Sequence, residues 1–313
     1  MRKIFAIGES LVDIIFSDGI PNSAKAGGSM LNSVVSIGRI GLPVFFITEY
    51  GTDSPGKLID SFLEENGVST RHILRYEDGQ TAIALAFLDS KKNAHYSFYK
   101  NYPRSRLNMK MPGIKKNDIF LYGSIYSISP EVRDPFFELV KRTSASEAVC
   151  IYDPNFRKPH LKDLDKLRPM IIENMGAATI IRASDEDFRN IFGVVSADDA
   201  WEMAREHCSC LIYTANEDGV FVRTSSFRGR YPVKKIKPVS TIGAGDNFNA
   251  GIIASLYHYK ISRNDIAQLG GKDWERIISL AVDFASDVCM SYDNYISAGF
   301  AEKIKSLYGN PGI

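Results

Sequence analysis

A seven-residue segment of this chain, Ser240 to Asp246 with the sequence STIGAGD, combines two features suited to phosphate chemistry. Gly243 and Gly245 allow a tight turn whose backbone N–H groups can converge on an anion. Asp246 opens an apolar-periodic segment that predicts a helix over residues 246–259, so these amides would lie at a helix N-terminus. A carboxylate beside such a turn can accept the proton of an alcohol during phosphoryl transfer. Asp246 could also be a helix N-cap, and its position alone does not choose between these roles.

Two further segments carry candidate ligand-binding residues. In GGSMLN, a glycine pair ending at Gly28 allows close approach of a ligand, and Asn32 can hydrogen-bond hydroxyl groups. The alternative is a loop before a helix with its N-cap at Ser29. The segment DPNFR, residues 153–157, follows an apolar run, and α/β sheets bind ligands at the carboxyl ends of their strands. There Arg157 could neutralise a phosphate or carboxylate, or it could be an exposed residue of a turn.

Residues 51–58, GTDSPGKL, have the spacing of a P-loop but not its chemistry. Leu58 stands where a Ser or Thr hydroxyl would bind Mg²⁺, and Pro55 removes one backbone donor. Asp53 would place a negative charge where the phosphate should lie. The segment therefore predicts an ordinary turn between a strand and a helix.

Composition excludes several classes of protein. The 313 residues include 38 Lys and Arg against 37 Asp and Glu, so no global field recruits nucleic acid or an anionic membrane. Four scattered cysteines are too few for a disulfide framework or a zinc site. The N-terminus runs directly into a strand-like segment, and no apolar run approaches the ~20 residues that span a bilayer. These features favour a soluble protein of a reducing compartment, the cytoplasm.

The chain alternates strand and helix patterns, which is typical of a parallel sheet with helices on both faces. Two regions lack following helices: residues 11–16, and a hairpin of 81–88 and 95–99 that turns at residues 90–93. They predict a small separate sheet. We therefore predict one α/β domain over residues 1–313, with a small β lid from about 11–28 and 80–104. The predicted strands are 3–8, 44–50, 118–123, 148–153, 179–183 and 211–214, and the predicted helices are 29–40, 56–66, 130–143, 185–192, 197–207, 246–259 and 274–290.

Six segments in this order and spacing resemble the ribokinase-like (PfkB-type) carbohydrate kinase family. They are GESLVD (8–13), GGSMLN (27–32), GTDSPG (51–56), DPNFR (153–157), RASDED (182–187) and TIGAGD (241–246). The resemblance spans about residues 4–290, and its most specific part is the N-terminal GG-x-x-x-N together with the C-terminal GAGD. Fructokinases and 2-keto-3-deoxygluconate kinases are the most similar members. The resemblance implies a three-layer α/β sandwich with a mostly parallel central sheet and a small β-sheet lid.

The resemblance also implies roles for individual residues. Asp246 would be the general base for the primary hydroxyl of a sugar, and the amides of Gly243, Ala244 and Gly245 would hold the γ-phosphate as charge develops. Asn155 would lie with Arg157 on the phosphate side or bind a substrate carboxylate. The implied substrate-binding residues are Asp13, Gly28, Asn32, Arg104 and Arg157. The implied nucleotide-binding residues are Ser184, Thr214, Asn216, Gly219, Gly243 and Gly245.

The implied cofactors are ATP, as co-substrate, and Mg²⁺. Because Mg²⁺ loses its water reluctantly, it would bind mainly to the ATP phosphates. Asp187 would contact it through water, with Glu186 as a competing candidate.

The chain departs from the usual family pattern on the nucleotide side. Ser240 replaces an Asp that helps family members to bind a monovalent cation, so we predict that K⁺ activation is weak or absent. Ile242 replaces a frequent Thr and is predicted to pack against the protein. Asn216 replaces a glycine, but Asn tolerates left-handed backbone better than most residues. Asp187 is one methylene shorter than the usual Glu.

Three functions are consistent with these residues. The leading one is an ATP-dependent kinase that phosphorylates a ketohexose. The second keeps the reaction but takes a sugar acid, favoured by Arg157 and the basic, aromatic residues 99–104, or a nucleoside. The third is a catalytically retired sugar- or nucleotide-binding protein. The unpaired strand edges of the lid would need cover, which favours a homodimer formed through it.

Overall fold

The computed structural model describes residues 1–88 and 94–309, which form two β-sheets and the helices around them. The larger sheet has nine strands within the described residues, in the spatial order β13 (Arg228–Tyr231), β12 (Val220–Thr224), β11 (Cys210–Thr214), β10 (Ile180–Ser184), β9 (Val149–Asp153), β8 (Ile119–Gly123), β1 (Ile4–Ile7), β4 (Val44–Gly51) and β5 (Val68–Tyr76). The strands from β11 to β5 pair in parallel, while β12 and β13 are antiparallel at one edge. The predicted mostly parallel sheet is confirmed.

Helices cover both faces of this sheet. Because alternate side chains of a strand point to opposite faces, Ile4 and Ala6 of β1 belong to one buried cluster and Phe5 and Ile7 to another. The first cluster includes residues of α1 (Ser29–Arg39), α2 (Ser54–Glu65), α7 (Ala244–His258), α8 (Gly271–Cys289) and α9 (Ala298–Tyr308). The second includes residues of α3 (Arg133–Ala145), α4 (Leu164–Ala177), α5 (Asp185–Phe192) and α6 (Ala197–Ala204). This is the predicted three-layer α/β sandwich.

The smaller sheet has the strand order β3 (Ile20–Gly27), β2 (Leu11–Ser17), β6 (Gln80–Leu88) and β7 (Ala94–Asn101). The predicted small separate sheet is confirmed, with its strands lying within residues 11–27 and 80–101. The turn predicted at residues 90–93 lies outside the described residues. Asp13 lies within β2, between its register partners Lys25 of β3 and Ala84 of β6.

Several elements were not predicted from the sequence. Strands β5, β12 and β13 lie at the two edges of the large sheet, where polar side chains interrupt the apolar runs that mark the central strands. Helix α4 contains Pro169, and proline in a helical pattern normally indicates an end. Helix α9 lies beyond the last predicted element.

Residues 51–58 form the ordinary turn that the sequence predicts. Asp53 is the N-cap of α2, and its carboxylate accepts hydrogen bonds from the Gly56 amide (3.0 Å) and the Thr81 amide (2.9 Å). The acidic side chain therefore fills the space where a P-loop would hold phosphate. Among residues 1–88 and 94–309, no helix is long and apolar enough to cross a membrane.

Candidate active site

The turn before α7 presents backbone donors at a helix N-terminus. Gly243 is the N-cap, with a φ of 80° that favours glycine, and a Cβ there would lie 2.9 Å from the Asn294 carbonyl oxygen. Within the described part of the chain, the amides of Gly243, Gly245 and Asp246 make no hydrogen bond, whereas the Ala244 amide lies 3.3 Å from the Thr241 carbonyl. These free N–H groups and the helix dipole together suit an anion.

Asp246 is the third residue of α7, so the alternative that it is the N-cap is wrong. Its side chain is buried, with a residue exposure of 7 %. One carboxylate oxygen accepts a hydrogen bond from the Ser29 hydroxyl (2.5 Å) and lies 3.5 Å from the Asn155 amide nitrogen. The other accepts from the Asn32 amide (2.8 Å). The first turn of α1 and the loop after β9 therefore converge on this carboxylate.

The pKa of Asp246 is raised above the ordinary value of an aspartate. Burial is the largest cause, and the negative charge of Asp153 acts in the same direction. The hydrogen bonds from Ser29 and Asn32 and the positive charge of Arg157 oppose the shift. A raised pKa makes this carboxylate a stronger base than an exposed aspartate.

The predicted substrate-binding residues Asp13, Gly28 and Asn32 lie around the start of α1. Gly28 is the N-cap of α1, which corrects the prediction of Ser29, and Ser29 becomes the first helical residue. Asp13 lies against the Cα of Gly27. Burial raises the pKa of Asp13 to about 6, with a further contribution from Glu9 that Lys25 opposes.

The two predicted arginines lie in different surroundings. The Arg157 side chain is exposed, and its charge acts on both Asp246 and Tyr96 of the small sheet. Arg104 is also exposed, in the segment after β7. The buried arginine of that segment is Arg106, which donates a hydrogen bond to Glu49 at 2.5 Å.

The predicted nucleotide-binding residues follow two neighbouring strands. Ser184 at the end of β10 and Thr214 at the end of β11 are register partners. After β11, a short turn contains Asn216 with a φ of 42° and Gly219 with a φ of 100°. Asn216 thus has the left-handed backbone that asparagine tolerates better than most residues.

Asp187 caps a helix through its carboxylate. One oxygen accepts from the Phe156 amide (2.7 Å), and the other from the Ser184 amide (2.8 Å) and hydroxyl (2.6 Å). Glu186 is partly exposed, and its carboxylate lies 3.6 Å from the Lys158 ammonium. Among the described residues, no group of three or more His, Cys, Asp or Glu side chains could hold a metal ion. Because both Asp187 oxygens already accept hydrogen bonds from the protein, this carboxylate fits a water-mediated contact to Mg²⁺ better than direct ligation.

Sequence reasoning missed residues that surround the site and misjudged one. Ile242 is 51 % exposed, so the prediction that it packs against the protein is wrong. The hydroxyl of Ser29 was considered only as a cap. Asp153 and Asn249 were not predicted as site residues, although both are fully buried. The available signal was their position, since Asp153 is the first residue of DPN and Asn249 follows GAGD by three residues. Glu9, which accepts a hydrogen bond from Lys100 of β7 at 2.6 Å, was also missed.

Comparisons with known proteins identify the family of the chain. The model of the pfkB family of carbohydrate kinases matches residues 1–297. Probable fructokinase-4 from Arabidopsis thaliana is 28% identical over 279 residues, which cover 85% of this chain and 86% of the relative.

Solved structures share the fold. A fructokinase double mutant from Vibrio cholerae O395, bound to fructose, ADP and a potassium ion, superposes with a TM-score of 0.83 at 18% identity, covering 97% of this chain and 98% of that one. Aminoimidazole riboside kinase from Salmonella enterica, complexed with aminoimidazole riboside and an ATP analog, gives a TM-score of 0.79 at 18% identity over 97% and 100% of the chains. The chain belongs to the pfkB family of carbohydrate kinases, enzymes that transfer a phosphoryl group to a sugar hydroxyl.

Proposed function

We propose that this protein is an ATP-dependent fructokinase in which Asp246 is the general base. The observation that carries the proposal is the buried Asp246 carboxylate, which Ser29 and Asn32 of α1 and Asn155 of the β9 loop contact. The amide of Gly245, one residue before it, makes no hydrogen bond within the described part of the chain. This carboxylate can take the proton of a primary hydroxyl while the free amides stabilise charge on the transferred phosphoryl group.

Fructose is the proposed acceptor because the relatives with the matching sequence are fructokinases. Asp13 and Asn32 would bind its hydroxyl groups, and the small sheet would cover it as a lid. ATP would lie over Ser184, Thr214 and the Asn216 turn. Mg²⁺ bound to ATP would neutralise phosphate charge, with Asp187 as the proposed water-mediated contact.

One assay separates this proposal from its alternatives. Purified protein with Mg²⁺-ATP is tested against fructose, 2-keto-3-deoxygluconate, ribose and adenosine, with thermal stability measured for each sugar in parallel. We expect turnover to be highest with fructose. Stabilisation by a sugar without turnover of any acceptor would identify a binding protein instead.

The second candidate acceptor is a sugar acid, favoured by the exposed Arg157 whose charge acts within the site. A carboxylate on the substrate would pair with this guanidinium, since arginine binds carboxylates in bidentate fashion. Lys100 contributes less to such a site because it already pairs with Glu9 at 2.6 Å. If 2-keto-3-deoxygluconate is the better substrate, Arg157→Gln should raise its KM much more than that of fructose.

Ser240 leads us to predict that K⁺ activates the enzyme weakly or not at all. Its hydroxyl accepts a hydrogen bond from the Ile242 amide (3.2 Å) and carries no charge to attract a cation. Replacing K⁺ with choline should therefore change kcat by less than about twofold, whereas Ser240→Asp should gain K⁺ stimulation because it restores a carboxylate. A severalfold stimulation of the unaltered enzyme by K⁺ would contradict this prediction.

We propose that the lid forms a homodimer interface. Phe16 stacks on Phe87 across β2 and β6 (4.7 Å), and strand alternation places Tyr99 on the same face. Phe87 and Tyr99 are 42 % and 61 % exposed, so this face of the sheet presents large apolar side chains of the kind that mark interaction surfaces.

Phe87→Glu should convert a dimer into a monomer, because the interface would have to bury an unpaired charge. Light scattering after size-exclusion chromatography measures the mass. Val195→Glu is the control, since Val195 is 68 % exposed and lies outside this sheet. A monomeric parent protein would contradict the proposed interface.

A further inference from the structure

A buried ion pair between Asp153 and Arg182 lies close to the proposed base. We propose that the buried pair of Asp153 and Arg182 positions the Asp246 carboxylate for proton transfer. This inference rests on the proposed role of Asp246, and it makes Asp153 and Arg182 positioning residues, since both side chains are buried and bond to groups of the protein.

Asp153, the last residue of β9, is fully buried and accepts three hydrogen bonds. One carboxylate oxygen accepts from the Arg182 guanidinium (3.0 Å) and from the Asn249 amide (2.6 Å). The other accepts from the backbone amide of Asn155 (3.0 Å). The carboxylate therefore joins β9, β10 and α7 at the carboxyl edge of the sheet.

Two of these bonds lead to Asp246. Asn249 lies three residues after Asp246 on the same helix, so its bond to Asp153 holds the N-terminal part of α7. Asn155 has a φ of 41°, and its side chain donates to the Ser29 hydroxyl (2.7 Å), which in turn donates to Asp246. Asp153 thus holds both the helix that carries the base and a side chain that orients one of its oxygens.

Arg182 also packs against the N-terminal part of α7. Its second amino group donates to the Thr214 hydroxyl (3.0 Å), and its guanidinium lies 5.5 Å from the centre of the Phe248 ring. A Cβ on Gly245 would lie only 2.8 Å from the nearer guanidinium nitrogen. The guanidinium therefore lies against Gly245, the residue that precedes Asp246.

The arginine also compensates a charge. Three carboxylates are buried in this region, those of Asp153, Asp187 and Asp246. Arg182 donates a hydrogen bond directly to the first of them, Asp153. Without it, the charge of Asp153 would be left unpaired close to the base. Removing one partner of a buried ion pair lowers protein stability strongly, whereas replacing both partners with neutral residues is often tolerated.

The test therefore replaces both partners together. In Arg182→Met/Asp153→Asn neither partner of the pair is left as an unpaired charge, and this variant should fold while kcat for fructose falls about 10- to 100-fold, since small misplacement of a catalytic group has effects of this size. The KM for fructose should change less than about threefold. Arg182→Lys, which keeps the cation, should recover part of kcat.

A double-mutant comparison shows whether the pair acts through the base. In an Asp246→Asn background, the pair replacement should change the residual rate by less than about twofold, because there is no base left to position. An equal fold-loss in both backgrounds, or a kcat within twofold of the parent enzyme, would overturn the inference. Failure of the base assignment itself is recognised separately, since Asp246→Asn alone would then leave turnover unchanged.

The control is a second ion pair at the far edge of the sheet. Arg223 of β12 is buried and donates to Asp198 at 2.8 Å. Arg223→Met/Asp198→Asn should lower thermal stability without lowering kcat. A comparable loss of kcat in this control would show that the effect at Arg182 is general loss of structure.

Discussion

Asp246→Asn should lower kcat by about 10²- to 10⁴-fold, because loss of a general base typically has an effect of this size. Binding of ATP and fructose should persist, since the free amides before α7 and the residues around α1 are unchanged. Steady-state rates and the heat of fructose binding measure the two effects. Unchanged turnover would show that Asp246 is not the base.

The fold should survive this substitution. The amide nitrogen introduced by Asp246→Asn would face the donor group of Asn32, but the Asn32 carbonyl oxygen is buried and has no hydrogen-bond partner. Rotation of the Asn32 amide by half a turn presents that oxygen to the new donor. Because burial raises the pKa of Asp246, the ionised carboxylate is destabilising at neutral pH, and the variant should unfold at an equal or higher temperature.

A buried carboxylate outside the site provides the matched control. Asp118 is 6 % exposed and accepts hydrogen bonds from the amides of Lys3 (2.8 Å) and Lys115 (2.9 Å). Asp118→Asn places a donor against these donors, so it should lower stability and leave kcat unchanged.

In the parent enzyme, kcat/KM should fall as the pH is lowered, since the base must be ionised. The midpoint of this fall should lie above the pKa range of an ordinary aspartate.

Asp13→Asn should lower kcat/KM for fructose by about 10- to 100-fold, because a hydrogen bond from a sugar hydroxyl to a charged acceptor contributes about 1.5–3 kcal/mol. At the same time it should stabilise the protein at pH 8. Burial raises the pKa of Asp13 to about 6, so the ionised group is less favourable in the folded state than in the unfolded chain.

The sign of this stability change follows from linkage. A carboxyl group with a raised pKa contributes stability below its unfolded pKa of about 3.9, and this contribution is lost as the pH rises through about 6. Asparagine does not ionise, so Asp13→Asn should be more stable by about 1–2 kcal/mol at pH 8, after allowance for partial solvent screening. The difference should shrink at pH 5. Thermal unfolding at the two pH values measures it.

Asp18→Asn is the control for loss of a charge on the same hairpin. Asp18 is exposed and has a φ of 54°, a conformation that Asn adopts well. It should change neither kcat/KM nor the unfolding temperature at pH 8. A loss of stability at pH 8 in Asp13→Asn would show that the Asp13 carboxylate supports the fold rather than the sugar site.

Much of the fold was predictable because its central strands are continuous apolar runs. The runs IFLYG and VCIYD match β8 and β9, in which every residue is buried. The edge strands β5, β12 and β13 carry alternating or mixed polar residues and were missed. The predicted start of α1 at residue 29 matches the structure, whereas α7 begins at Ala244, two residues before its predicted start, because its N-cap is Gly243, which has no side chain to mark the cap.

The sequence by itself determined the chemistry of the turn from Ser240 to Asp246, since glycine spacing and an acidic residue are local properties. It did not determine the partners of that carboxylate. Ser29 and Asp246 are separated by 217 positions, and Asn155 and Asp246 by 91. Only the tertiary structure brings them together and buries them, and this burial raises the pKa that makes Asp246 a stronger base. The same holds for Asp153 and Arg182, which meet only where neighbouring parallel strands end.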